Sequence, residues 1–343
     1  MVGLKVKKIS TRTIFRPFFG AFFLPNLGLK LKTPTLPPMQ TKDKLINWGI
    51  FAALSLIWGS SFMLMKYGMH TLSPYQVATI RILSAGLVMT PFALEAFRKI
   101  PKEKFLLVIL SGLIGSFFPA YLFCIAELEI DSSLAGILNA LTPLFTIIVG
   151  VSFFQLQASR QKIIGVLVGF VGLCLLFAAQ KKVSFENISY ASLVLLATLL
   201  YGININMVGR HLKEAGSLNI ASMAFVFLII PCLVILYFTG YFNLDLSSKD
   251  VLLSTGASML LGLMGTAVAT VIYYMLAKRA GSLFASTVTY GIPFVAVFWG
   301  LLGGEEINLI QCACMCIILL GVWLSNKNKG NVNFKKSNRF CKN

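Results

Sequence analysis

Ser132-Ser-Leu-Ala-Gly-Ile-Leu-Asn-Ala-Leu-Thr-Pro143 returns 150 positions later as Ser282-Leu-Phe-Ala-Ser-Thr-Val-Thr-Tyr-Gly-Ile-Pro293. Ser132 pairs with Ser282, Ala135 with Ala285 and Pro143 with Pro293. The echo extends outward in both directions. Trp58-Gly59 is matched by Tyr201-Gly202, and Gln161 by Gln311. A unit of about half the chain is repeated once.

What the unit is made of follows from composition. The 343 residues are 57% hydrophobic and 12% charged, against about 25% charged in an ordinary soluble domain. So little charge cannot solvate a globular surface, which excludes a soluble enzyme, a disordered chain and a disulfide scaffold. Ten apolar runs can be drawn: Trp48–Met65, Tyr75–Leu94, Phe105–Ala126, Leu134–Phe154, Ile163–Ala179, Tyr190–Val208, Ile220–Phe238, Val251–Leu276, Leu283–Leu302 and Ile307–Leu324. Each is close to the roughly 20 residues that cross a bilayer as a helix. A helix satisfies its own backbone hydrogen bonds there, and the alternation of a barrel strand is absent. The expected fold is an all-α integral membrane protein of ten transmembrane helices in two five-helix repeats, residues 45–180 and 188–325. Five is odd, so the second repeat must be inverted, an arrangement that secondary transporters use with a site near the midplane.

Net charge is +18. In a soluble chain that would suggest nucleic acid; here its placement decides. Loops on the side of the termini hold ten basic residues, among them Arg98, Arg160, Arg210 and Arg279, against four on the other side. The opposite loops hold most of the acid: Glu127, Glu129, Asp131, Glu186, Asp245, Asp250, Glu305 and Glu306. Positive charge collects on the cytoplasmic side, so both termini are expected there, in the plasma (inner) membrane, and no nucleic-acid partner is required. Residues 1–40 form a basic leader without acid, read as a non-functional extension upstream of a start at Met39, a targeting segment or an interfacial segment. Read as a transit peptide, it would place the protein in an organelle membrane. Residues 326–343 are a basic tail.

Trp58-Gly-Ser-Ser-Phe62, Ser73-Pro74, Arg81, Ala135 to Pro143, Ala285 to Pro293, Gly303-Gly-Glu305 and Gly321-Val322 together resemble the EamA-like family of the drug/metabolite transporter superfamily, from about Met39 to Asn326. The resemblance implies a central cavity lined by helices 1, 3, 4, 6, 8 and 9, and the movement of amino acids or other small metabolites, often outward. Two positions depart from the family pattern. Gln155 stands where an acidic residue would match Glu305, and Tyr201 where helix 6 often carries Trp.

Candidate site residues are the polar and aromatic groups within the runs: Trp58, Ser60, Ser61, Arg81, Tyr121, Asn139, Tyr201, Asn204, Tyr274, Thr287 and Tyr290. An amide buried in hydrocarbon without a partner costs a few kcal/mol. Each therefore faces either a wet cavity or a neighbouring helix as interhelical glue. Arg81 is a full charge inside a run and needs a cavity, a carbonyl partner or a path to the interface. In a cavity it would draw anionic groups such as carboxylates. Pro143 and Pro293 remove backbone hydrogen bonds and are candidate hinges or static kinks. Gly165-x-x-x-Gly169 reads as close helix packing, with a homodimer interface as one use.

The cysteines, including Cys312-x-Cys314-x-Cys316, read as small apolar packers, because alternate residues of a helix do not face each other. No metal set and no cofactor motif is legible, and without a Walker loop ATP is not the direct energy source; the expected partners are a small-molecule substrate and membrane lipid. No acid lies deep in a run, which leaves no proton carrier in view; Glu127, Glu129 and Asp131 read as a solvated outer loop. A secondary transporter working by alternating access, most simply an exporter, is the leading expectation. A facilitator or exchanger of organic anions or drug-like compounds is the alternative. A membrane enzyme lacks clustered nucleophiles or acids, and a channel does not need repeats within one chain.

Overall fold

The computed structural model describes residues 41–130, 132–156, 158–178, 188–292, 294–295 and 309–327. The leader, most of the basic tail, Pro293 and the acidic residues Asp131, Glu186, Glu305 and Glu306 lie outside the described residues. Those described are helical, without a strand. In chain order the helices are α1 (Thr41–Gly68), α2 (Pro74–Lys99), α3 (Lys102–Ala126), α4 (Ser132–Asn139), α5 (Thr142–Phe154), α6 (Arg160–Ala178), α7 (Ile188–His211), α8 (Ser217–Phe238), α9 (Lys249–Ala280), α10 (Ser282–Ser286) and α11 (Leu309–Lys327). Among the described residues, α1, α2, α3, α7, α8 and α9 are long and apolar enough to cross a membrane.

The helix ends follow from local chemistry. α2 opens on a capping box: Ser73 Oγ accepts from Gln76 N at 3.3 Å and Gln76 Oε1 accepts from Ser73 N at 2.9 Å, with Pro74 just inside the helix. This arrangement pairs amides that the first turn leaves free. α2 stops at Ile100, which precedes Pro101 and is extended (φ −88°, ψ 126°), as a following proline favours. α5 ends on Gln155 in the left-handed region (φ 54°). Arg210 of α7 caps that end by donating to the Phe154 carbonyl.

Two helices carry a wide, π-type turn, Leu113–Phe117 in α3 and Leu261–Val268 in α9. The first precedes Pro119, which has no N–H to give and whose ring crowds the carbonyl four residues back. Leu113-Ile-Gly115-Ser116 and Leu263-Met-Gly265-Thr266 stand 150 positions apart. Their surroundings also match. A Cβ on Gly115 would lie 2.1 Å from Asn204 Nδ2, and one on Gly265 would lie 2.8 Å from Ser61 Oγ; Ser61 and Asn204 occupy the same place relative to Trp58-Gly59 and Tyr201-Gly202. Gly59 abuts Val295, while Gly202 abuts Phe145, 150 positions before it. Trp58 stacks edge-on against Tyr273 at 5.1 Å, and Tyr201 lies over Phe123 at 6.2 Å. Contacts between α1 and α9 are thus repeated between α7 and α3.

α6 and α11 pair along their glycines. A Cβ on Gly321 would fall 2.3 Å from Gly169 N and 2.7 Å from the Gly165 carbonyl. The Gly165-x-x-x-Gly169 surface is therefore in contact with α11 of the same chain, the close helix packing expected of that motif.

Candidate functional site

A cavity of about 860 Å³ of atom-free space, counted with its opening, lies among α1, α2, α3, α7, α9 and the α4–α5 junction. α1 presents Trp58, Ser61, Phe62 and Met65 to it, spaced i, i+3, i+4, i+7 and so on one helical face. α9 presents Thr266, Thr270, Tyr273 and Tyr274 in the same rhythm. The wide turns supply Gly115, Ser116 and Gly265, and α7 supplies Tyr201 and Asn204. Thr289 and Ile292 line it beyond α10.

The wide turn of α9 exposes a carbonyl, and Trp58 Nε1 donates to it (Gly265 O, 3.0 Å). Such turns cluster at functional sites because they free backbone groups. Arg81, half-buried, is the charged residue among those lining the cavity. Its Nε donates to Thr266 Oγ1 at 2.7 Å. Asn204 donates through Nδ2 to Tyr274 Oη at 3.1 Å, while its Oδ1 is buried with no partner among the described residues. Asn206, two residues on and off the lining face, is fully used: its Nδ2 donates to the carbonyls of Thr146 (2.9 Å) and Gly202 (2.8 Å), and its Oδ1 accepts from Ser282 Oγ at 3.3 Å. One asparagine is glue between helices; the other lines the cavity and keeps a buried acceptor without a partner among the described residues.

Of the sequence candidates, the cavity gathers Trp58, Ser61, Arg81, Asn139, Tyr201, Asn204 and Tyr274. Four lie elsewhere. Ser60 is off the lining face of α1. Tyr121 turns to α2, with its hydroxyl 2.6 Å from Thr79 Oγ1. Thr287 donates to the Phe284 carbonyl at 2.7 Å, and Tyr290 reaches α6, donating to the Val166 carbonyl at 2.9 Å with its ring over Gly169. The cause is the tight turn at Thr287–Gly291: with three residues per turn, Thr289 faces the cavity instead. Ser116, Thr266 and Thr270 line the cavity in addition to the sequence candidates; their signal in the sequence is the 150-position echo of Gly115-Ser116 in Gly265-Thr266.

Two further expectations are corrected. Pro143 is not in a helix interior: it sits in the first turn of α5, after a break at Ala140–Leu141. A missing N–H costs nothing there, and the carbonyl four residues back, Asn139 O, accepts from Thr142 Oγ1 at 2.6 Å. Glu127 is not solvated. It is 6% exposed, and both carboxylate oxygens are buried without a hydrogen-bond partner among the described residues.

The model of the EamA-like transporter family matches residues 47–178 and again residues 188–327. The chain belongs to the EamA-like transporter family. It is 26% identical over 85% of its length to an uncharacterised inner membrane transporter, YedA, of Escherichia coli strain K12, covering 94% of that protein. It is 24% identical over 84% of its length to a probable amino-acid metabolite efflux pump of Salmonella typhimurium, covering 95%. A crystal structure of a protein at 14% identity superposes with a TM-score of 0.60 over 84% of this chain and 98% of its own, a likeness of fold alone. With its membrane-length helices, this member of the family is an integral membrane protein and a transporter.

Proposed function

We propose that the chain is a secondary transporter of amino acids and similar small metabolites, working by alternating access between two inverted five-helix halves. The observation that carries the substrate class is that one cavity is lined by both Arg81 and Asn204, whose Oδ1 has no hydrogen-bond partner among the described residues. A guanidinium matches a carboxylate, and a buried amide oxygen accepts from an ammonium group. The relative named as a probable amino-acid metabolite efflux pump supports the same class and outward movement. The repeat reading draws on the two successive family matches and on the matched α1–α9 and α7–α3 contacts. The excess of basic residues in the loops on the side of the termini supports cytoplasmic ends.

An export and uptake screen of metabolites in cells making the protein, with and without an uncoupler, tests the assignment. Altered fluxes of amino acids, lost in Arg81→Ala at equal expression, are expected. The second reading, a carrier of organic anions, is favoured by Arg81 alone. It predicts that Asn204→Leu retains flux while Arg81→Ala abolishes it. A substrate-independent ionic current in liposomes would count against both.

A further inference from the structure

Glu127 is a buried carboxyl that the transport cavity does not use. It lies one turn beyond Phe123, a lining residue, at the end of α3 where Met65 and Cys124 close the space with their sulfurs 3.2 Å apart. Neither oxygen has a partner among the described residues, and an ionised carboxylate held so would forfeit its hydration. The charges acting on it come from two helices, Lys66 of α1 and Arg81 of α2. α7, which packs against α3, carries no Asp, Glu, Lys or Arg before Arg210; Tyr190 and Tyr201 are the titratable groups there. α4 has no titratable residue, and on its own segment Glu127 has Cys124 one turn back and the exposed Glu129 two residues on.

The repeat isolates this pair of charges. At 150 positions from Glu127 stands Ala277, and the place matching Arg81 in the second half is Ala224; both alanines are buried. The match is structural: a Cβ on Gly262 would meet the Arg81 carbonyl at 2.2 Å, and one on Gly112 would meet the Ala224 carbonyl at 3.1 Å. Packing at these positions is served by a methyl group, so it does not account for a carboxyl and a guanidinium.

We propose that Glu127 is a proton-binding site linked to the cavity through Arg81, so that a proton on Glu127 and a carboxylate at Arg81 bind cooperatively. When the carboxyl is neutral, Arg81 offers its full charge to an anionic group. When it gives its proton to the aqueous phase it becomes a carboxylate, offsets that charge and weakens the hold. Burial pushes the carboxyl up from its ordinary value near 4.5 to about 8, against the pull of Lys66 and Arg81, which puts this exchange at working pH. No set of three or more His, Cys, Asp or Glu able to hold a metal ion occurs among the described residues. The proton and the substrate carboxylate then travel together: outward down a substrate gradient, inward down a proton gradient. This rests on the cavity reading above for its substrate and stands by itself for its proton.

The test has two arms on the full chain in proteoliposomes. In difference infrared spectra titrated between about pH 6 and 10, a protonated carboxylic acid band should fade near pH 8 and be missing from Glu127→Gln. In counterflow of a labelled mixture of the common amino acids, the half-saturating concentration should rise about fivefold or more between neutral and alkaline pH, a typical coupling size. Glu127→Gln should flatten that profile and Glu127→Asp restore it. An unchanged profile in Glu127→Gln, or no titrating band, overturns the proposal. If no amino acid exchanges at all, the substrate reading falls, while the infrared band still decides the proton site.

Discussion

Arg81 Nε donates to Thr266 Oγ1 at 2.7 Å, so the charge of α2 is held to the wide turn of α9. A hydrogen bond to a charged group is worth roughly 1.5–3 kcal/mol. Thr266→Val keeps the shape and removes the acceptor. It should raise the half-saturating concentration for amino-acid counterflow about tenfold, and Thr266→Ser should restore it. Arg81→Lys keeps the charge but not the planar fork, and should lose most of the transport that Arg81→Ala abolishes.

The wide turns make a matched pair of glycine tests. Gly115→Ala would place a methyl 2.1 Å from the amide nitrogen of Asn204, whose bond to Tyr274 fixes it. Gly265→Ala would meet Ser61 Oγ at 2.8 Å, and that hydroxyl can rotate from its bond to the Ile57 carbonyl. Overpacking costs about 1–3 kcal/mol where neighbours cannot yield. Gly115→Ala should therefore lower both thermal stability in detergent and counterflow, and Gly265→Ala should do less of each. Gly49→Ala and Gly256→Ala, with nothing within 4 Å, should leave both unchanged.

Membrane class and the six membrane-length helices among the described residues were legible because hydropathy is a local property of the chain, whereas the run Leu134–Phe154 is divided at Ala140–Leu141. Seven cavity residues were legible for a related reason: a polar group within an apolar run must face something wet or bonded. The errors came where backbone departs from the regular α-helix. Thr287 and Tyr290 turn away because Thr287–Gly291 winds in three-residue turns, which a polar residue in an apolar run does not announce. Ser116 and Thr266 face the cavity because the wide turns of α3 and α9 rotate them there. Glu127 follows the last turn of an apolar run and has acidic neighbours, which looks like a loop. Its burial depends on α1 and α2, far away in sequence.

Pro143 begins α5, so Pro143→Ala should change counterflow by less than about twofold, since the first turn tolerates either residue. The group at stake is the Asn139 carbonyl, four residues back, which Pro143 cannot pair. Thr142→Val strips Asn139 O of its 2.6 Å donor, and an unpaired buried group costs about 1–3 kcal/mol. The Thr142 variant should melt earlier than the Pro143 variant; the reverse order would restore the hinge reading.

The α6–α11 contact can be broken from one side. Gly321→Val sets a side chain against the backbone of Gly169, 2.3 Å from its nitrogen, with no flexible group to move. Stability in detergent should fall by at least about 1–3 kcal/mol, with no change in the oligomeric state measured by light scattering. A shift in mass instead would give Gly165-x-x-x-Gly169 the role of an interface between copies.

Glu127 should give the protein a stability that declines with pH. Its carboxyl keeps a proton in the folded chain up to about 8, while the unfolded chain gives it up near 4.5. Between those values the unfolded state binds fewer protons, so the slope of unfolding free energy with pH is negative. Below about 4.5 both states are protonated and the residue costs nothing extra. Above about 8 the penalty is complete, because the folded chain must now hold a buried carboxylate. Glu127→Gln is neutral at every pH and escapes the penalty. Thermal midpoints of wild type and Glu127→Gln in detergent should coincide near pH 4.5, separate as the pH rises, and stay apart by a constant interval above about 8, with the variant the more stable. Parallel curves across the range would mean that Glu127 titrates like an exposed acid.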